Sequence, residues 1–75
     1  MADTYYVVYS KDQMRWELQI PDSEYSGRGS YVVETFQTKR PAMKRGKQLA
    51  RNQNARLVEN AKKGYTMAHY DYSTG

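Results

Sequence analysis

The sequence predicts an α+β fold: a single domain, residues 1–75, in which an antiparallel sheet of about five strands carries one helix on one face. Three observations carry this expectation. Short runs rich in Val, Ile, Tyr, Thr and Trp recur along the chain, the composition that suits a pleated, half-buried surface. One stretch between those runs has helical periodicity, with a capping residue and a proline where a helix would begin. A chain of 75 residues also has room for one modest core and no second domain.

The elements follow in order. Thr4 to Ser10 is β-branched and aromatic on both parities, as expected of a strand covered on both faces or lying at an interface. After the polar break Lys11 to Gln13, the stretch Arg15 to Ile20 alternates cleanly, with Trp16, Leu18 and Ile20 on one face and Arg15, Glu17 and Gln19 on the other. The two strands should form a hairpin. Pro21 to Ser30 gathers Pro, Asp, Ser and Gly and reads as the long, mobile loop of the chain. Tyr31 to Phe36 is the third strand.

Thr38 is placed to cap a helix that starts near Lys39, and Pro41 is tolerated in the first turn, where its missing donor has no partner to lose. Ala42, Met43, Gly46, Leu49 and Ala50 form one stripe of mainly small residues, which lets the helix lie close on the sheet. Close approach is the compensation expected for Gly46, which costs about 1 kcal/mol of helix propensity. The helix ends near Asn52 to Asn54. Ala55 to Glu59 then reads as a fourth strand, Asn60 to Gly64 as a turn and Tyr65 to Tyr70 as a fifth strand, with residues 71–75 expected to fray.

Composition excludes several chemistries. Without cysteine there is no disulfide and no thiolate metal site, and the lone histidine, His69, cannot by itself build a metal centre or a Cys-His pair. His69 reads as structural filler. Asp12, Glu17, Asp22, Glu24, Glu34 and Glu59 show no paired spacing of the kind two cooperating carboxylates need. Gly27-Arg28-Gly29 precedes a strand, whereas a phosphate-cradling glycine loop opens a helix. The expectation is a protein that is not an enzyme and uses no cofactor, no metal and no small-molecule substrate. No stretch approaches the roughly 20 apolar residues of a membrane span. Nothing near Met1 reads as a signal peptide, so a cytoplasmic location without membrane association is expected.

The strongest charge feature lies on the helix. Lys39, Arg40, Lys44, Arg45, Lys47 and Arg51 are basic, and no Asp or Glu occurs between Phe36 and Val58. On a helical wheel Arg40, Lys44, Lys47 and Arg51 fall within about 60° of one another, opposite the small stripe, with Arg45 further round. Solvated helices ordinarily relieve like-charge repulsion with acids at i and i+4, and here that relief is missing. With a formal net charge of +4, this face predicts nucleic-acid binding through phosphates by Arg40, Lys44, Arg45, Lys47 and Arg51, aided by Lys62 and Lys63. The competing use of the same face is solubility alone.

Eight tyrosines are many for this length, and six of them, Tyr5, Tyr6, Tyr9, Tyr65, Tyr70 and Tyr72, cluster in the terminal segments. They support either a homodimer through a Tyr-rich edge strand, with no nucleic-acid role, or plain strand propensity. Trp16 is read as core, the alternative being a base-stacking ring on an exposed sheet.

Tyr6-Val7-Val8, Trp16, Thr38-Lys39 with Ala42, Leu49-Ala50-Arg51, Leu57-Val58 and Gly64 together resemble the small prokaryotic family catalogued as domain of unknown function 2188. That resemblance covers most of the chain and implies an α+β fold without an established activity. The chain differs from the family pattern in its Pro21 to Ser30 loop and in the Lys39-Arg40-Pro41 opening of the helix, where the family usually has an acid. Trp16 and Phe36-Gln37-Thr38 with Ala42 are also similar to the three-strand-plus-helix DNA-binding domains of plant ethylene-response factors and phage-type integrase arms. Those domains read DNA with the exposed sheet face, whereas here the positive charge sits on the helix.

Overall fold

The computed structural model describes residues 4–21 and 30–73. Residues 22–29, with Asp22, Glu24 and Gly27-Arg28-Gly29 of the expected loop, lie outside the described residues, as do 1–3 and 74–75. Along the chain the elements are β1 (Thr4–Ser10), β2 (Arg15–Pro21), β3 (Ser30–Phe36), α1 (Lys39–Asn52), β4 (Arg56–Asn60) and β5 (Thr66–Asp71). Across the sheet the strands do not lie in chain order: they run β3-β2-β1-β4-β5.

The sheet is mixed, which corrects the antiparallel expectation. β1 is antiparallel to β2, pairing Val7 with Leu18, but parallel to β4, pairing Thr4 with Arg56 and Tyr5 with Leu57. The cause is the crossover. Two antiparallel steps leave β3 pointing the same way as β1, and α1 then carries the chain back along the sheet, so β4 enters in that same direction. β1 is thereby the central strand. Tyr5, Tyr6 and Tyr9 therefore lie on an interior strand, with β2 and β4 on the two sides of its ladder, whereas Tyr70 lies on β5 at an edge of the sheet.

The double apolar parity of β1 has a direct meaning in this position. Tyr5 and Val7 point under α1 and are buried, while Tyr6 and Val8 stand half-buried on the opposite face. The core lies between the helix and the sheet: Tyr5, Val7, Trp16, Leu18 and Leu57 from the strands meet Ala42 and Ala50 from the helix. Gly46 sits at the closest point. A Cβ there would lie 2.9 Å from Leu57 Cδ1, 3.2 Å from Leu18 Cδ1 and 3.4 Å from Val7 Cγ2. Trp16 is only 8% exposed and meets Tyr9 edge to face at 5.2 Å, so it is a core residue.

Both helix ends are set by local chemistry. Thr38 occupies the N-cap in extended conformation, although its hydroxyl makes no capping hydrogen bond, a correction to the expected side-chain cap. The C-terminus closes with Asn54 in the left-handed region at φ 52°, the Asn54 N–H donating to the Arg51 carbonyl (3.3 Å) and the Ala55 N–H to the Ala50 carbonyl (2.8 Å). That pair of bonds is a Schellman closure, with Asn where Gly is commonest.

The chain end is held further than expected. Asp71 pairs with Arg56 inside β5, the Tyr72 N–H donates to the Ala55 carbonyl at 3.0 Å, and the Tyr72 ring packs on the core. Both sheet edges share one irregularity. In β3 the pairing jumps from Glu34 to Val32, leaving Val33 as an extra residue, and in β5 it jumps from Ala68 to Thr66, leaving Met67. Each bulge lies on an outermost strand.

Candidate nucleic-acid interface

α1 fixes the basic residues by burying its opposite side. Because Ala42, Gly46 and Ala50 face the sheet, Arg40, Lys44 and Arg51 are turned to solvent and Lys47 emerges beside β5. No acid occupies the first turn, and the sequence has none between Phe36 and Val58. Among the described residues, Arg40, Lys44, Lys47 and Arg51 make no ion pair.

Arg45 is placed differently. It leaves on the β3 side, where its Nε lies 3.4 Å from Glu34 Oε1 and its guanidinium also donates to Gln48 Oε1 at 3.1 Å. It is therefore set apart from the other four and already faces a carboxylate. Lys63 is exposed on the turn after β4, and Lys62 holds its ammonium 4.8 Å from the Tyr9 ring. Since Tyr9 stacks on Trp16 and the Lys39 ammonium lies 5.3 Å from Trp16, Lys62 sits at the N-terminal end of α1. The positive surface thus continues past the helix onto that turn.

The flank of α1 that faces β5 brings together side chains that the sequence offers only separately. Glu59 accepts from Lys39 Nζ at 2.7 Å and from the Tyr70 hydroxyl at 3.0 Å. The Lys39 hydrogen bond holds the Glu59 carboxyl below its ordinary value, against the opposing effect of partial burial. The Glu59 carboxylate in turn holds the Tyr70 phenol above its ordinary value. Lys39 also donates to the Met67 sulfur at 3.1 Å, a contact made by the residue that the β5 bulge turns toward the helix.

Aromatic rings support the cations along this flank. Lys47 lies over Tyr70 at 4.7 Å and Arg51 over Tyr72 at 5.5 Å. Such contacts hold a long side chain by its charged end without neutralising it. Two shallow surface depressions follow the row. One, about 310 Å³, is lined by Lys44, Lys47, Gln48 and Arg51; the other, about 460 Å³, by Arg40, Met43, Lys44, Lys47, Glu59 and Tyr70.

The placement of Tyr70, Tyr72 and Glu59 against α1 escaped sequence reasoning for one reason. Tyr70 and Tyr72 were visible as aromatics, but their position against α1 depends on the register of β5 on β4, which local alternation does not specify. Among the described residues no group of three or more His, Cys, Asp or Glu converges on a possible metal position. No helix of the described residues is long and apolar enough to cross a membrane. Comparison of the chain with protein-family models, with curated proteins and with solved structures finds no match.

Proposed function

We propose that this is a noncatalytic domain that binds nucleic acid through its phosphates, using the outward row Arg40, Lys44, Lys47 and Arg51, with Arg45 and the turn residues Lys62 and Lys63 as contributors. The observation that supports the reading is that, on a helix with no acid of its own, none of those four cations makes an ion pair among the described residues, Lys47 alone feeling a nearby carboxylate, Glu59. Four like charges on one face repel one another, and an anionic ligand that covers them removes that repulsion. Lys47 and Arg51 are also held over rings, so part of the ordering such a ligand would require is already in place.

The test is salt-dependent binding to a DNA duplex. Four phosphate contacts give a log-log slope on the order of −4, becoming steeper by about one unit if Arg45 leaves Glu34 for a fifth phosphate. Lys44→Glu/Arg51→Glu should abolish binding at physiological salt while the fold is retained by circular dichroism. A flat salt response in the wild type overturns the reading.

A further inference from the structure

Arg40, Lys44, Lys47 and Arg51 stand at i, i+4, i+7 and i+11 of α1. With a rise of ~1.5 Å per residue they make a single file about 16 Å long. The two depressions beside them share Lys44 and Lys47 and so lie next to each other along the file, with Tyr70 and Glu59 on the β5 side of one; together we term them the trough. A compact anion calls for cations gathered around a point; a linear polyanion calls for a line.

The rings that border the trough are not free to receive bases. Lys47 covers Tyr70, Arg51 covers Tyr72, and both rings also pack against the core. Trp16, the ring best suited to stacking, is buried beneath Lys39. Base recognition by stacking needs an open aromatic face, and this surface offers cations in place of one. Glu59 at the trough wall is already engaged by Lys39 and Tyr70, so its negative charge is answered from within the protein.

We propose that the trough takes one sugar–phosphate strand lengthwise, through consecutive phosphates, with the bases turned away from the protein. Measured along its own path, one strand sets a few consecutive phosphates within a length of about 16 Å, so the four cations of the file can be shared among them. The inference rests on the phosphate-binding reading and adds that the ligand is recognised as a single backbone, without base contact.

The experiment is fluorescence anisotropy of the full chain at low salt with three labelled probes of equal length: a thymidine strand, an abasic phosphodiester strand, and a thymidine strand with an uncharged backbone. Inorganic triphosphate serves as competitor. The expected result is that the abasic strand binds within about twofold of the thymidine strand and the uncharged strand fails to bind, since each stacked base would contribute a roughly tenfold effect. Triphosphate should compete only at large excess. An abasic strand more than about tenfold weaker would overturn the backbone-only mode while leaving phosphate binding intact, and triphosphate competing as well as the strand would replace the line with a point site. Failure of both charged strands to bind would remove the parent reading as well.

Discussion

At position 46 a methyl group would meet Leu57 Cδ1 at 2.9 Å, and Leu57 and Leu18 are fully buried, with little space into which to withdraw. Two effects oppose each other in Gly46→Ala. Helix propensity gains about 1 kcal/mol, while overpacking a filled core loses about 1–3 kcal/mol. The expected outcome is a net destabilisation of about 1 kcal/mol in urea unfolding, and a larger one for Gly46→Val. Glu59 offers a second test at this scale. Its carboxyl is held low in the folded protein, chiefly by Lys39, so the charged form is favoured by folding. That contribution is complete at neutral pH and is lost as pH falls past the ordinary value of 4.5 toward the lowered one. Glu59→Gln should flatten the acid limb of the stability profile below that pH and lower stability at pH 7, because Lys39 then loses its partner. The measurement is urea unfolding across a pH series, and an unchanged acid limb would count against the assignment.

Among the elements, the two edge strands share a feature that opposes strand pairing. β3 and β5 each carry an extra residue, Val33 and Met67, and each residue is exposed. A bulge bends and twists an edge, so that a second strand cannot pair along its length. Deleting Val33 would leave the pairs Leu18–Glu34 and Gln19–Val32 in place and make the ladder regular. The variant is expected to associate with rising concentration in sedimentation velocity, whereas the bulged parent does not.

The same elements show what the sequence could and could not reveal. Clean alternation in β2 marked its core face, and the small stripe of α1 announced the close approach at Gly46, because both depend on residues near one another in the chain. The parallel pairing of β1 with β4 and the meeting of Glu59 with Lys39 depend on how distant segments choose neighbours. Of the candidate site, the outward row was legible from helical spacing. The partnering of Arg45 by Glu34 was not, since it required knowing that β3 lies on that side of the helix.

For the molecule as a whole, with a formal charge of +4, six cations fall on α1 with no acid among them, and such a run of like charge acts against the compact state at low salt. Arg40→Gln/Lys44→Gln, at the two positions of the row that lie over no ring, should therefore weaken nucleic-acid binding yet leave the protein as stable or more so, by up to about 1 kcal/mol at low ionic strength. The gain should shrink when salt screens the row. Thermal unfolding of both proteins at two salt concentrations checks this, and a loss of stability in the variant would mean that the row is structural.

The central place of β1 also bears on how the chain reaches this state. Thr4 receives its parallel neighbour from Arg56, so β1 stays half-matched during synthesis until the helix and the following strand have been made. Hairpin closure between β1 and β2 can come early, but the sheet is joined across its middle only after β4 has been made. A nascent chain cut short before residue 56 would thus present an open ladder at its centre, and quality control would meet it as an unfinished protein.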